Sequence, residues 1–202
     1  MNLLTDTMPR AVAGLPIDTS FRRMVQFELL MDDATVPAVD KIGLAIDLLY
    51  LRPIRDLQAA WEGLLWYYRG GEPAPAEGCG QTAARPRRAY SFAQDDGYIY
   101  AAFWQVYGLD LQQTDLHWWA FRKLLFALPD TCLMGRIMGY RVADTSKLKG
   151  TERKRIEELQ RAFAIRTELE NAFSASERAA AMRTRALRRH KEAMQWKNRS
   201  GR

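Results

Sequence analysis

Catalysis needs nucleophiles, acids and bases, or metal ligands at workable spacing, and this chain is poor in all of them. Its two histidines, His117 and His190, stand on different segments, and so do its two cysteines, Cys79 and Cys132. No local spacing therefore suggests a Cys–His or Ser–His–Asp site. There is no Gly-x-Gly-x-x-Gly, no phosphate loop, and no Cys or His pair at metal spacing. Asp32-Asp33 and Asp95-Asp96 could in principle divide acid and base work. Each pair also sits where a turn or a helix start favours acidic residues, which is explanation enough. Cys79 lies in a Gly- and Pro-rich stretch with no neighbour that would lower its thiol pKa. No catalytic residue, metal or cofactor is expected, and the chain reads as a non-enzyme.

Two residue classes remain that could bind rather than react. The first is aromatic: 11 of the 22 aromatic residues lie between Tyr90 and Phe126. Within that stretch Tyr100, Trp104, Tyr107, Trp118, Trp119 and Arg122 are the candidate partner contacts, since Trp, Tyr and Arg are favoured where proteins meet. The second is cationic. Residues 1–140 carry 13 Lys and Arg against 16 Asp and Glu, whereas residues 141–202 carry 17 against 8. Arg178, Arg183, Arg185, Arg188 and Arg189 concentrate that charge near the end of the chain. They could meet phosphates, or simply face water.

These side chains must be carried by helices. Asp18, Thr19 or Ser20 can cap a helix to about Met31, with Phe21, Met24, Val25 and Glu28 near one another. Thr35 and Pro37 open a second helix to about Leu51, with Ile42, Ile46 and Leu49 inward. Pro53 begins a third, in which Ile54, Leu57, Trp61, Leu64, Leu65 and Tyr68 keep a helical stripe until Gly70 and Gly71. Residues 70–89 show no periodicity and read as a long flexible loop.

Ser91 to Gln94 fits a capping box, so the next helix should run to Tyr107 and stop at Gly108. Asp95 and Asp96 would then lie in its first turns. One face holds Phe92, Ile99, Phe103 and Val106; another holds Tyr100, Trp104 and Tyr107. A helix over about Asp115 to Ala127 puts Trp118, Phe121 and Leu125 on one side and turns Trp119 elsewhere, between Arg122 and Lys123. A short helix from Thr131 to about Gly139 follows, then one from near Lys149 with Arg153–Glu157 and Lys154–Glu158 pairs. A second capping box at Ser174 to Glu177 suggests a final Ala- and Arg-rich helix.

The expected fold is all-α: a compact multi-helix domain over 1–166, the loop at about 70–89, and a basic helical extension over 167–202. Its 48% hydrophobic and 27% charged residues exclude disorder throughout. No apolar run approaches the ~18 residues of a spanning helix, and the first residues lack a signal-peptide layout. Two cysteines make no disulfide framework, so a reducing cytoplasm is the expected compartment.

The order of several motifs resembles the bacteriophage "gene product fifteen" family of small helical proteins. They are Asn2-Leu3-Leu4-Thr5-Asp6 with Pro9, Asp18, Phe21-Arg22, Phe27-Glu28-Leu29-Leu30, and Leu64-Leu65-Trp66-Tyr67-Tyr68-Arg69-Gly70. Tyr90-Ser91-Phe92 and Asp95-Asp96-Gly97-Tyr98-Ile99-Tyr100-Ala101-Ala102-Phe103 follow. Tyr107-Gly108-Leu109-Asp110-Leu111, Leu116-His117-Trp118-Trp119-Ala120-Phe121 and Ile137-Met138-Gly139-Tyr140-Arg141 complete the set. The resemblance covers about residues 1–166. It implies a tail assembly chaperone, with the tape-measure protein and tail-tube subunits as partners, acting in the bacterial host cytoplasm. A permanent structural protein of the tail or head–tail joint, which would be found in the virion, is the alternative. A nucleic-acid-binding protein working through the basic tail is the second. Self-association is compatible with each, and no membrane partner is implied.

Overall fold

The structure, a computed structural model, describes residues 2–73 and 87–166. Most of the 70–89 loop and the whole 167–202 extension, including Arg178, Arg183, Arg185, Arg188 and Arg189, lie outside the described residues. The chain begins with a hairpin of β1 (Ala11–Val12) and β2 (Leu15–Pro16), paired antiparallel with Val12 opposite Leu15. Ala13 and Gly14 between them both take positive φ, 50° and 76°, as a two-residue turn that follows the strand twist requires. The hairpin is too short to alternate visibly, and Ala is an unusual residue at a positive φ, so no local pattern announces it.

Helix α1 (Phe21–Asp32) starts at Ser20, whose hydroxyl accepts from the Arg22 N–H. It buries Phe21, Met24 and Glu28 as expected, but Phe27 in place of Val25, which is only half-buried. Helix α2 (Ala38–Leu49) starts at Pro37 rather than Thr35. The Thr35 N–H and hydroxyl instead donate to Asp33 at 2.8 and 2.6 Å, closing the preceding turn. Ala45, Ile46 and Leu49 face inward, while Ile42, expected to do so, is exposed. At the start of α2, Lys41 Nζ instead donates to the Met31 carbonyl at the end of α1 at 2.7 Å.

Helix α3 (Leu57–Tyr68) begins at Asp56, which accepts from the Ala59 N–H, not at Pro53. Leu57 is consequently exposed, and Ala60, Leu64 and Tyr67 form the inner face. A Cβ at Gly63 would come within 2.6 Å of the Val12 side chain and 2.7 Å of the Tyr50 hydroxyl. That missing atom is what lets the hairpin and the end of α2 close on α3. Helix α4 (Asp96–Tyr107) ends at a left-handed Gly108, as expected. Its start differs: residues 92–94 are a turn, and Asp95 is the residue before the first helical one.

Helices α5 (Trp118–Phe126), α6 (Leu133–Val142) and α7 (Gly150–Ala162) complete the described chain, with one 3₁₀ turn at Thr145–Lys147. Helix α1 packs on α2 and α5, α2 on α3, α4 on α6, and α6 on α7. With seven helices and only a two-stranded sheet among the described residues, the fold is all-α. Phe121 is the centre of the aromatic core, with Phe21 stacked at 4.5 Å, Phe103 at 4.9 Å and Trp118 at 5.9 Å.

The largest departure concerns Asp95. It is 2% exposed and receives both Arg141 Nη atoms, at 2.5 and 2.9 Å, as well as the Ser91 N–H at 2.8 Å. Arg141 also donates to the Ala89 carbonyl and, through Nε, to that of Phe163 at 2.6 Å. A guanidinium has enough donors to hold all of these at once. One ion pair therefore ties the chain before α4, helix α6 and the end of α7 together. A charge so buried is tolerable only when paired and hydrogen-bonded, as this one is.

Candidate partner-binding surface

Helix α4 is apolar on most of its circumference, and the structure buries only part of it. Ile99, Ala102 and Phe103 enter the core, whereas Tyr98, Tyr100 and Trp104 are exposed. Trp104 is 54% exposed, the most of any aromatic residue described. Its ring lies 6.4 Å from that of Tyr100, the two being four residues apart on one helical face. The Tyr100 hydroxyl donates to Asp110 at 3.2 Å, which steadies the pair from the chain after the helix. Exposed Gly97, Ala101 and Gly108 add no bulk around it, so a partner's side chains could approach the rings closely. Tyr107, the third residue expected here, is half-buried and donates to the Leu124 carbonyl at 2.9 Å.

The other three candidates are placed differently. Trp118 and Trp119 are 0% and 2% exposed, so neither is on a contact surface; the outward orientation expected for Trp119 is corrected. The reason lies in α3. Carbonyls in the last turn of a helix lack intrahelical partners. Trp119 Nε1 donates to the Tyr67 carbonyl at 2.7 Å, and Trp118 Nε1 to that of Tyr68 at 2.9 Å. Two consecutive indoles thus engage two consecutive carbonyls at the end of α3. Gly71, at φ +81°, makes room: a Cβ there would come within 2.8 Å of the Trp119 ring. Arg122 is partly buried, with its guanidinium 5.4 Å from the Phe126 ring centre and 3.6 Å from Glu72.

His117 caps α5. Its Nδ1 accepts from the Trp119 N–H at 3.1 Å, so Nε2 carries the proton and donates to the Pro9 carbonyl at 3.0 Å. Burial holds its pKa below the ordinary histidine value against the opposing Pro9 bond, with Arg10 adding to the lowering. The arrangement fixes a neutral imidazole as a structural cap. Cys132 is buried and caps α6. Among the described residues no three His, Cys, Asp or Glu side chains come together, and no helix is long and apolar enough to cross a membrane.

Sequence reasoning missed one further site. Glu28 is 7% exposed, and its Oε1 accepts from both the Tyr68 and Tyr90 hydroxyls at 2.8 Å. Arg88 approaches Oε2 at 3.4 Å and donates to Asp32 at 2.7 Å. Burial raises the Glu28 pKa, opposed by both tyrosine bonds and by Arg88. Its signal was present: an acid continuing the Phe21, Met24 stripe of α1.

The family described as Bacteriophage Gp15 protein matches residues 4–165. No curated protein and no solved structure matches the chain. The matched span coincides with the helical unit, Met1–Ile165, and includes both the α4 face and the contact between α3 and α5.

Proposed function

The chain belongs to the Bacteriophage Gp15 protein family, and from that premise we propose that it is a non-enzymatic tail assembly chaperone. In this reading it holds the tape-measure protein, tail-tube subunits or both in the host cytoplasm while the tail is built. The observation that carries the proposal is the Tyr100–Trp104 pair, left in water on a helix whose opposite face is rigidly packed. An anchored aromatic pair of this kind suits the apolar stripe of an amphipathic helix. Tape-measure proteins, which are long and helical, offer such stripes.

The test is capture of the tagged chain from cells assembling the phage, beside a protein inventory of purified particles. Tape-measure or tail-tube protein in the capture, with this chain missing from the particles, is the expected result. Fixed stoichiometry in finished particles would overturn the chaperone role in favour of a permanent tail component. If the captured material were nucleic acid, lost steeply with salt, the basic segment would be the active part.

A further inference from the structure

The Glu28 site is a cavity, not only a buried acid. About 430 Å³ of space is lined by Phe27, Trp61, Tyr68, Glu28, Asp32 and Arg88. Its charges do not balance, because one guanidinium serves two carboxylates. Arg88 is committed to Asp32 at 2.7 Å and reaches Glu28 Oε2 only at 3.4 Å. With Oε1 already accepting from Tyr68 and Tyr90, Oε2 has room for a closer donor. Beside it are aromatic faces: the Phe27 ring lies 5.1 Å from Tyr68 and 6.2 Å from Trp61, tilted by more than 60° to both.

A carboxylate next to aromatic faces recognises a cation that can be taken out of water. An anion would be repelled, and a neutral apolar group would leave the excess charge uncompensated. A guanidinium fits better than an ammonium, because it is planar, stacks on rings and donates in parallel to carboxylates. The volume exceeds what a bare ion needs and suits a side chain whose methylene stem rests on Met31 and Leu65. We propose that this cavity receives an arginine side chain of a protein partner, seated beside Arg88. The site does not depend on whether the α4 face docks a tail protein.

The test is an NMR titration of the ¹⁵N-labelled full chain near neutral pH with N-acetyl-arginine amide, N-acetyl-citrulline amide and putrescine. Saturable shifts at the Trp61 indole are expected with the arginine probe and not with its uncharged citrulline counterpart. Glu28→Gln should weaken binding about tenfold. Asp32→Asn, at an exposed position, should weaken it less and serves as the acid variant if Glu28→Gln fails to fold. Arg88→Ala should tighten binding several-fold, since it removes the competing internal cation; a purely structural Glu28 would produce no such gain. Equal response to citrulline, no saturation, or unchanged or weaker binding by Arg88→Ala would overturn the proposal. Tighter binding of putrescine than of the arginine probe would also overturn it, pointing to a small-molecule amine instead.

Discussion

Helices α4 and α5 carry aromatic residues at similar density and put them to opposite uses. On α5, Trp118 and Trp119 are buried under the end of α3, each indole N–H on a backbone carbonyl. On α4, Trp104 is half in water and Tyr100 holds only a neighbouring aspartate. Residue type does not separate the two pairs. What separates them is whether another helix presents backbone acceptors where the rings arrive. The end of α3 does so for α5, and no described element does so for the outer face of α4. A buried pair is therefore accounted for by the fold, and an exposed pair is left for something else to explain.

The contrast can be broken from the buried side first. Trp119→Ala should cost about 3–5 kcal/mol, the range for deleting a packed large aromatic, measured by urea unfolding. A loss below about 1 kcal/mol would mean that Trp119 is not the core residue described. Asp95→Ala strands the Arg141 guanidinium and should cost about 3 kcal/mol, with early loss of α7 protection in hydrogen exchange because Phe163 is tied to the same group.

A smaller effect should follow pH at the start of α5. His117 has a lowered folded pKa, so below its ordinary value the unfolded chain binds the proton more readily than the folded one. Stability should fall as pH drops from about 6.5 towards the lowered folded value. His117→Asn, whose amide oxygen can cap without titrating, should remove that dependence. The smallest stability change belongs to the exposed pair. Trp104→Ala should move unfolding by no more than about 0.5 kcal/mol.

Much of the fold was legible because helical periodicity and capping are local. Phe21 and Met24 on α1, the stop at Gly108, and Phe121 with Leu125 on α5 all lie where their spacing puts them. So does the Arg153–Glu157 pair at 2.7 Å. What escaped depends on partners far along the chain. Asp95 reads as a helix-start acid until Arg141, 46 positions away, reaches it. Trp119 reads as outward because a helical wheel knows one helix, and its carbonyl partner is 52 positions distant on another. Glu28 announced itself by breaking an apolar stripe, yet nothing local names Tyr68 and Tyr90 as the groups that satisfy it. For the candidate surface, spacing correctly grouped Tyr100 and Trp104 on one face. It also grouped Trp118 with Phe121 and Leu125, whose shared burial removes Trp118 from the candidate contacts.

The contact surface proposed above is the α4 aromatic face, and not the α5 pair. Wild-type chain and the Tyr100→Ala/Trp104→Ala double variant can be compared in capture from cells assembling the phage, with unfolding curves measured in parallel. The expected result is a folded variant with near-wild-type stability that no longer retains tape-measure or tail-tube protein. Undiminished capture by that folded variant would rule out the α4 face as the contact surface.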